Sequence, residues 1–295
     1  NNERVEKGLD LIDAGRYDEA IHEINKAANI NENECNVLGL AYLHKKQDEE
    51  AISQFQKAIE ISPSSGWAYY NWGVALRRQR CFDAAIEKFE TALECNYEAI
   101  TTLFSLAESW EDLGQWEEAE KCILKILELE PEQEAALSIL GILYAANGFA
   151  ERAIPILTKA IEVNPRGADL LGNLSFASFL AGDIEGALEA CKFSIKLAPN
   201  RIQPYLNLAF ILQSMRAWEK CEVFCRKILK MEPSNRAAAD LLIGSLYFMN
   251  RTEDLVECLE NLKEADPLNP SAASIAPLAY HQVGKENTNP LCASP

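Results

Sequence analysis

The sequence predicts an all-α fold in which antiparallel helix pairs stack into a solenoid, and three observations support this prediction. From Ala51 onward, small residues followed by apolar stretches recur with a step of 34 residues, and Ala20 precedes Ala51 by 31 residues. Two further ladders of mostly small or apolar residues keep a fixed distance from the first. Prolines close most of the repeating segments at the same position. Agreement of four registers over eight segments favours a repeat architecture over an ordinary globular core.

The ladders define the repeats residue by residue. The first ladder consists of Ala20, Ala51, Ala85, Ala119, Ala153, Ala187, Cys221 and Leu255. The second, twelve residues upstream, consists of Gly8, Gly39, Gly73, Ala107, Gly141, Ser175, Ala209 and Ile243. The third, seven residues downstream, consists of Ala27, Ala58, Ala92, Ile126, Ala160, Ser194, Ile228 and Leu262. The closing prolines are Pro63, Pro131, Pro165, Pro199, Pro233 and Pro267.

Each repeat divides into two helical stretches joined by a short turn. Four of these turns contain a glycine, at Gly15, Gly114, Gly148 and Gly182. We expect the small residues where the two helices cross, because a large side chain there would force the backbones apart. Proline ends the second helix, since it lacks an N–H and restricts the preceding residue. A single helix pair cannot bury its apolar face alone, so neighbouring pairs are expected to stack.

Trp72-Gly73, Ala85, Phe89 and Ala92 form a 34-residue pattern that resembles the tetratricopeptide repeat (TPR). The resemblance covers residues 1–267, which divide into eight repeats, and the eighth departs most from the pattern. It implies a right-handed superhelical solenoid of antiparallel helix pairs whose first helices line a concave, partner-binding surface. It also makes an interaction scaffold the expected function.

The chain after Pro267 is expected to differ from the repeats. Residues 268–283 predict a C-terminal capping helix or a partial ninth repeat, because the last repeat would otherwise expose its apolar face. Residues 284–295 contain Asn and Pro and predict an extended tail, or the start of a linker to a further domain.

Composition narrows the classes of partner. Lys and Arg number 28 against 45 Asp and Glu, a net charge of −17 that disfavours binding to phosphate backbones. No stretch reaches the roughly 18 consecutive apolar residues of a membrane span, so membrane insertion is not expected. The nine cysteines are an odd, scattered set, which favours a reducing compartment and predicts a cytoplasmic location.

The sequence gives little support for catalysis. The three histidines, His22, His44 and His281, lack cysteine or carboxylate partners at metal-ligand spacing. Cys221 and Cys225 lie four residues apart, but both occupy core positions of the repeat. No phosphate-binding glycine loop or nucleophile motif occurs. We therefore expect no enzyme activity, no metal and no cofactor.

Candidate peptide-binding residues lie on the first helices. Asn71, Asn173 and Asn207 share one repeat position, and Ser105 occupies the same position between them. An amide both donates and accepts hydrogen bonds, so a row of amides can hold a peptide backbone whatever its side chains. The row resembles the asparagine ladder of the O-linked N-acetylglucosamine transferase repeats. Simple solvation of the asparagines is the alternative interpretation.

Aromatic residues beside this row are candidates to receive apolar ligand side chains: Tyr70, Phe176, Phe179, Phe210, Tyr247 and Phe248. Packing against neighbouring repeats or the final helix is the alternative interpretation. The carboxylate clamp of chaperone-binding relatives is not expected, because its inner positions carry no Lys or Arg in repeats two to eight.

These observations favour a scaffold that binds an extended peptide or a partner protein in the concave groove. Two alternatives stay open. The chain could be the substrate-recruiting part of a larger enzyme, such as a glycosyltransferase or an oxygenase. It could also assemble with copies of itself into a homo-oligomer.

Overall fold

The computed structural model describes residues 2–27, 29–265 and 270–282, and every regular element in these ranges is an α-helix. The described residues fall into two compact units: unit 1 ends at Ala136 and unit 2 begins at Leu137. Within each unit the helices form antiparallel pairs, as the repeat pattern predicts. None of the described helices is long and apolar enough to cross a lipid bilayer.

Among the described residues, sixteen helices form eight consecutive pairs. The first helices are α1 (Asn2–Asp13), α3 (Glu32–His44), α5 (Gly66–Arg78), α7 (Ala99–Asp112), α9 (Glu134–Ala146), α11 (Ala168–Leu180), α13 (Gln203–Ser214) and α15 (Arg236–Phe248). The second helices are α2 (Tyr17–Ile24), α4 (Asp48–Ile61), α6 (Phe82–Glu94), α8 (Trp116–Leu129), α10 (Ala150–Val163), α12 (Ile184–Leu197), α14 (Trp218–Met231) and α16 (Thr252–Ala265).

The turn inside each pair takes a left-handed backbone conformation at one fixed position. Glycine supplies it at the four predicted places, with φ between +70° and +84°. The other four turns use Lys46, Arg80, Arg216 and Asn250, with φ between 54° and 62°. This conformation is sterically unfavourable for any residue with a Cβ atom. Where no glycine is present, the packing of the two helices therefore holds the turn residue in the left-handed conformation, although that residue by itself disfavours it.

The helices of a pair cross where a small residue meets a large one. A Cβ added to Gly73 would lie 2.7 Å from Cε1 of Phe89, a ring that is fully buried. Gly39 lies in the same way against the Phe55 ring. In unit 2, Gly141 meets Leu157 in the same way, whereas the α11–α12 pair uses two residues of intermediate size, with Ser175 Oγ 2.8 Å from Cys191 Sγ. The close approach predicted from the small-residue ladder is confirmed, and large and small partners compensate each other across it.

The connection between pairs follows the prolines. The residues that end α4, α8, α10, α12 and α14 each precede a proline and have ψ between 72° and 95°. This extended conformation is expected because proline disfavours the helical conformation of the residue before it. Tyr97 replaces the proline after α6, where Asn96 takes φ 55°. Partial burial against neighbours that include Tyr70 raises the pKa of the Tyr97 phenol to about 12.

A seventeenth helix, α17 (Pro270–Gln282), follows the last pair. Its residues Ala276, Ala279 and Tyr280 are at most 1% exposed and join the buried cluster that contains Leu255 and Leu259 of α16. The sequence predicts a capping helix or a partial ninth repeat at residues 268–283, and both alternatives stay predictions. The predicted tail, residues 284–295, lies outside the described residues.

Candidate functional site

One opening of unit 2 is a groove of about 470 Å³ formed by three first helices. We call it the aromatic groove. Helix α11 contributes two phenylalanines, α13 contributes the floor, and α15 forms the far wall. Its lining residues are Phe176, Phe179, Gln203, Leu206, Asn207, Phe210, Ile211, Ala237, Asp240 and Leu241. The groove is therefore mostly apolar, with two amides and one carboxylate at its walls.

Two rings of the aromatic groove are strongly exposed. Phe176 is 42% exposed and Phe210 is 46% exposed, although an aromatic ring gains free energy when it leaves water. Phe179 is half-buried and meets Phe210 edge-on, with ring centroids 5.4 Å apart and an interplanar angle of 76°. This packing holds the Phe210 ring in place and leaves its other face open. Three predicted site residues thus lie together at one apolar surface.

Two of the predicted asparagines connect neighbouring first helices. Asn207 Nδ2 donates to the backbone oxygen of Gly172 at 3.0 Å, and Asn207 Oδ1 accepts from Gln203 Nε2 at 2.8 Å. Asn173 Nδ2 lies 3.3 Å from Ser138 Oγ. The Asn207–Gly172 and Asn173–Ser138 bonds each join a helix to the first helix of the preceding repeat, whereas the Gln203–Asn207 bond lies within α13. The Asn173 and Asn207 amides therefore help to fix the spacing of α9, α11 and α13, and Asn207 also lines the aromatic groove.

Tyr247 and Phe248 lie at a separate opening of about 260 Å³ at the turn between α15 and α16, with Gln282 at its edge. Phe248 stacks on Trp218 at a centroid distance of 4.9 Å and an interplanar angle of 16°, and Tyr247 meets Phe248 edge-on. The structure thus divides the predicted aromatic residues of unit 2 between two places.

The remaining predicted residues lie in unit 1, where Tyr70 and Asn71 line an opening of about 490 Å³. Tyr70 Oη and Ser105 Oγ are 3.2 Å apart, which joins α5 to α7. Asn71 is only 6% exposed, and its Nδ2 donates to the Trp67 backbone oxygen at 2.9 Å within its own helix. Asn71 therefore differs from Asn173 and Asn207 in both burial and partner, so the shared repeat position does not give the three amides one role.

A charge network ties the first helices of unit 1 together. Arg77 Nε donates to Asp112 Oδ2 at 2.9 Å, and its Nη1 pairs with Glu108. Arg78 Nη1 donates to the Leu43 backbone oxygen at 2.6 Å. Partial desolvation, together with the nearby Glu108 and Asp112 carboxylates, raises the pKa of Glu111, and Arg77 opposes that rise. The arginines of this surface are thus engaged by the protein's own acceptors.

The cysteines occupy the core. Cys191, Cys221 and Cys225 are fully buried. Burial raises the pKa of the Cys122 and Cys258 thiols to about 11, which keeps them in the unreactive thiol form near neutral pH. Within the described part of the chain, no group of three or more His, Cys, Asp or Glu side chains is arranged to hold a metal ion.

Six groove residues are missing from the predicted site: Gln203, Leu206, Ile211, Ala237, Asp240 and Leu241. Outside the groove lining, the apolar residue Ile142 on α9 is 45% exposed and shares the repeat position of Phe176 and Phe210. The repeat register contains the signal for Ile142, because it lies 34 residues before Phe176. The sequence pattern alone could not show which inner positions line the groove. That depends on how the neighbouring first helices pack against each other.

Family models agree with this architecture. A TPR repeat model matches residues 39–79, and a tetratricopeptide repeat model matches residues 70–134 and 140–202. Together they cover more than half of the chain, and the chain belongs to the tetratricopeptide-repeat family. Proteins of this family generally serve as protein–protein interaction modules. The resemblance to the transferase asparagine ladder stays a prediction.

Curated relatives match over nearly the whole chain. BBSome complex member BBS4 of Bos taurus is 23% identical, over 97% of this chain and 56% of that protein. A TPR repeat-containing protein of Methanocaldococcus jannaschii is 26% identical, over 95% and 49%. Anaphase-promoting complex subunit 3 of Schizosaccharomyces pombe is 22% identical, over 85% and 38%. The chain spans about half the length of the first two relatives and less of the third.

Solved structures show the same fold. A tetratricopeptide repeat protein from Parabacteroides merdae gives a TM-score of 0.68 at 18% identity, covering 84% of this chain and 98% of that chain. YrrB, described as a TPR protein with an unusual peptide-binding site, gives a TM-score of 0.51 at 22% identity, covering 64% and 95%. At these identities the likeness concerns the fold alone.

Proposed function

We propose that the chain binds an extended segment of a partner protein in the aromatic groove, as a scaffold and without a catalytic step. The observation that carries the proposal is the exposure of Phe176 and Phe210 beside an apolar groove of about 470 Å³. Contiguous exposed apolar side chains beside a cleft are typical of interaction sites.

The polar walls of the groove suit a peptide backbone. An amide carries two N–H groups and a carbonyl oxygen with two lone pairs. Asn207 Nδ2 donates one N–H to the Gly172 oxygen, so its second N–H can donate to a carbonyl of the bound segment. Gln203 lies beside it and is exposed. Apolar contacts at the rings would supply affinity, while these amides would orient the segment.

The groove offers little chemistry for catalysis. Asp240 is the one charged side chain among the lining residues given above. General acid–base catalysis requires groups that are placed to exchange protons with a reacting atom. Apolar rings and neutral amides serve recognition instead. We expect an affinity in the micromolar range, about −8 kcal/mol, because a flexible segment loses conformational entropy when it is ordered.

Two relatives support a role in assemblies. One is named as a member of the BBSome complex and another as a subunit of the anaphase-promoting complex. By extension we propose that this chain is also a protein-binding part of a larger assembly. The recruiting-module and homo-oligomer alternatives stay predictions, and the chain's length relative to its relatives does not decide between them.

The test is capture of partners on immobilised protein, with quantification by mass spectrometry. A Phe176→Ala/Phe210→Ala variant should lose the captured partners. Phe193→Ala is the matched control, because Phe193 on α12 is 48% exposed and lies outside the groove. Both variants remove exposed rings, so circular dichroism should show unchanged helix content.

A second variant separates the amides from the rings. Asn173→Ala/Asn207→Ala should weaken capture less than the double phenylalanine variant does. Partners that bind equally to all variants would overturn the groove assignment. Light scattering of the free protein at high concentration addresses self-assembly, since a molar mass that stays near 32.9 kDa would contradict the homo-oligomer alternative.

A further inference from the structure

Another opening of unit 2 lies between α14, α15 and α16 and has a volume of about 270 Å³. We call it the basic pocket. Its lining residues are Arg226, Leu229, Lys230, Pro233, Leu242, Cys258, Asn261 and Leu262. These residues combine two cations and one amide with five apolar side chains, and they share no member with the aromatic groove. The basic pocket therefore suits an apolar side chain that lies beside a negative charge.

Lys230 supplies the free positive charge of the basic pocket. It is exposed in the last turn of α14, and within the described part of the chain it has no carboxylate partner. Arg226 Nε donates to Glu222 Oε1 at 2.8 Å, so only part of that guanidinium stays available. Residues 192–230 contain 8 Lys and Arg against 2 Asp and Glu, a net charge of +6. Since charges farther apart than about 8 Å are screened at physiological salt, this local charge decides what docks here.

The repeat register shows how local this positive charge is. Lys230 and the exposed Lys196 of α12 occupy the same repeat position. In four earlier second helices the position carries an exposed glutamate: Glu60, Glu94, Glu128 and Glu162. Either lysine suits the negative end of its helix, which is a sufficient reason for Lys196. Lys230 differs because it also lines the basic pocket.

The chain itself exposes a side chain of the matching kind. Leu129, the last residue of α8, is 58% exposed and stands between Glu128 and Glu130 in the sequence. Both glutamates are exposed. We call residues 128–130 the Leu129 knob. The surrounding residues 82–134 contain 3 Lys and Arg against 15 Asp and Glu, a net charge of −12. The Leu129 knob thus presents an apolar side chain with negative charge on both sides.

The knob and the pocket match in size and in charge. A dry cavity of about 150 Å³ takes up benzene, so the basic pocket of about 270 Å³ has room for a leucine side chain. Burial there removes the apolar surface of Leu129 from water. The adjacent glutamates then lie near Lys230 and the available part of Arg226. Because the knob and the pocket are different surfaces, a contact between two copies is heterologous and can extend from copy to copy.

We propose that the Leu129 knob of one copy docks into the basic pocket of a second copy, so that the chain associates with itself head to tail. This inference goes beyond the proposed function, because it does not use the aromatic groove. One knob forms a small interface, and two copies that each carry a charge of −17 repel each other, so the association is weak. We expect it at protein concentrations of about 100 µM and above.

The test measures the weight-average molar mass of the full chain by sedimentation and light scattering, at concentrations below and above about 100 µM. The mass of the parent should rise above 32.9 kDa with concentration. Leu129→Ala and Lys230→Glu should each weaken the association at least about tenfold, because one removes the apolar side chain and the other reverses the free charge. A parent that stays monomeric overturns the proposal.

Two control variants make the same changes at the same repeat positions elsewhere. Ile61→Ala removes a side chain that is 53% exposed but is followed by Ser62 instead of a glutamate. Lys196→Glu reverses a charge that lies outside the basic pocket. Both should associate like the parent, and an equal loss in either control overturns the assignment. Phe176→Ala/Phe210→Ala should also associate like the parent, which separates this inference from the proposed function.

A charge exchange tests the pairing directly. Glu128→Lys/Glu130→Lys should be monomeric alone, because its knob and its pocket are then both basic. Mixed with Lys230→Glu, it should associate again, since each variant carries the charge that the other has reversed. A mixture that stays monomeric contradicts the pairing. If a peptide of residues 125–134 binds the parent and not Lys230→Glu while the parent stays monomeric, the pocket takes an acidic segment of another protein and self-association is overturned.

Discussion

Units 1 and 2 are built from the same repeat but present different chemistry. Residues 1–136 contain 13 Lys and Arg against 28 Asp and Glu, a net charge of −15, whereas residues 137–295 contain 15 against 17, a net of −2. In unit 1 the first helices carry the Arg77 charge network. In unit 2 the equivalent helices carry exposed phenylalanines around a groove.

The difference shows which positions of the repeat the fold constrains. Crossing positions must match in volume, and they do so as Gly73 with Phe89 in unit 1 and as Ser175 with Cys191 in unit 2. The inner positions of the first helices are less constrained by packing. Glu108 and Phe176, for example, occupy the same repeat position in different repeats. Surface chemistry can therefore vary between units while the helix pairing stays constant.

The largest expected effect comes from exchanging the crossing pairs. Cys191→Phe should lower the free energy of unfolding by about 3 kcal/mol, because the ring must fit against Ser175 in a fully buried site. Adding Ser175→Gly recreates the small–large pair of unit 1 and should recover at least half of the loss. Urea denaturation of the single and double variants measures the coupling. Additive effects would mean that the two positions do not compensate each other.

A matched pair of glycine substitutions gives the next effect. Gly73→Ala should cost about 2 kcal/mol, because its Cβ would overlap the Phe89 ring. Gly172→Ala should be neutral or stabilising by up to about 1 kcal/mol, since its Cβ would meet only Asn207 Nδ2 at an ordinary 3.7 Å and alanine favours a helix. Denaturant midpoints of the two variants check this. Equal midpoints would contradict the close crossing in unit 1.

The charge network should contribute a smaller amount. Arg77→Leu should destabilise by about 1 kcal/mol at low salt, because Glu108 and Asp112 lose their partner. Arg201→Leu is the control in unit 2, where the exposed Arg201–Asp169 pair should matter by less than about 0.5 kcal/mol. The Arg77 effect should shrink in 0.5 M salt, roughly the regime where screening dominates. A salt-independent loss would indicate packing instead of charge.

The smallest effect is expected from the pH dependence of Glu111. Its pKa is higher in the folded protein than in the unfolded chain, so folding favours the protonated carboxyl. Stability from this group is present at acidic pH and is lost as the pH rises through the folded pKa. Glu111→Gln should therefore raise the melting temperature at pH 7, and the gain should vanish near pH 4. A gain that persists in acid would have another origin.

The sequence by itself determined the repeat, the helix pairs and the close crossings. Apolar periodicity, small residues such as Gly73, and closing prolines act within a few tens of residues, so a single 34-residue pattern encodes them. It also placed Phe176, Phe179 and Phe210 among the candidate residues, because one register identifies every inner position of a first helix.

Only the tertiary structure decided how these residues are used. It joined Asn173 and Asn207 to the preceding first helices, buried Asn71, and separated Phe248 from the aromatic groove. These outcomes depend on which side chains of neighbouring repeats come within hydrogen-bond or van der Waals distance. A repeat pattern fixes the position of a residue on its own helix, but contacts between repeats arise only when the helices are packed together.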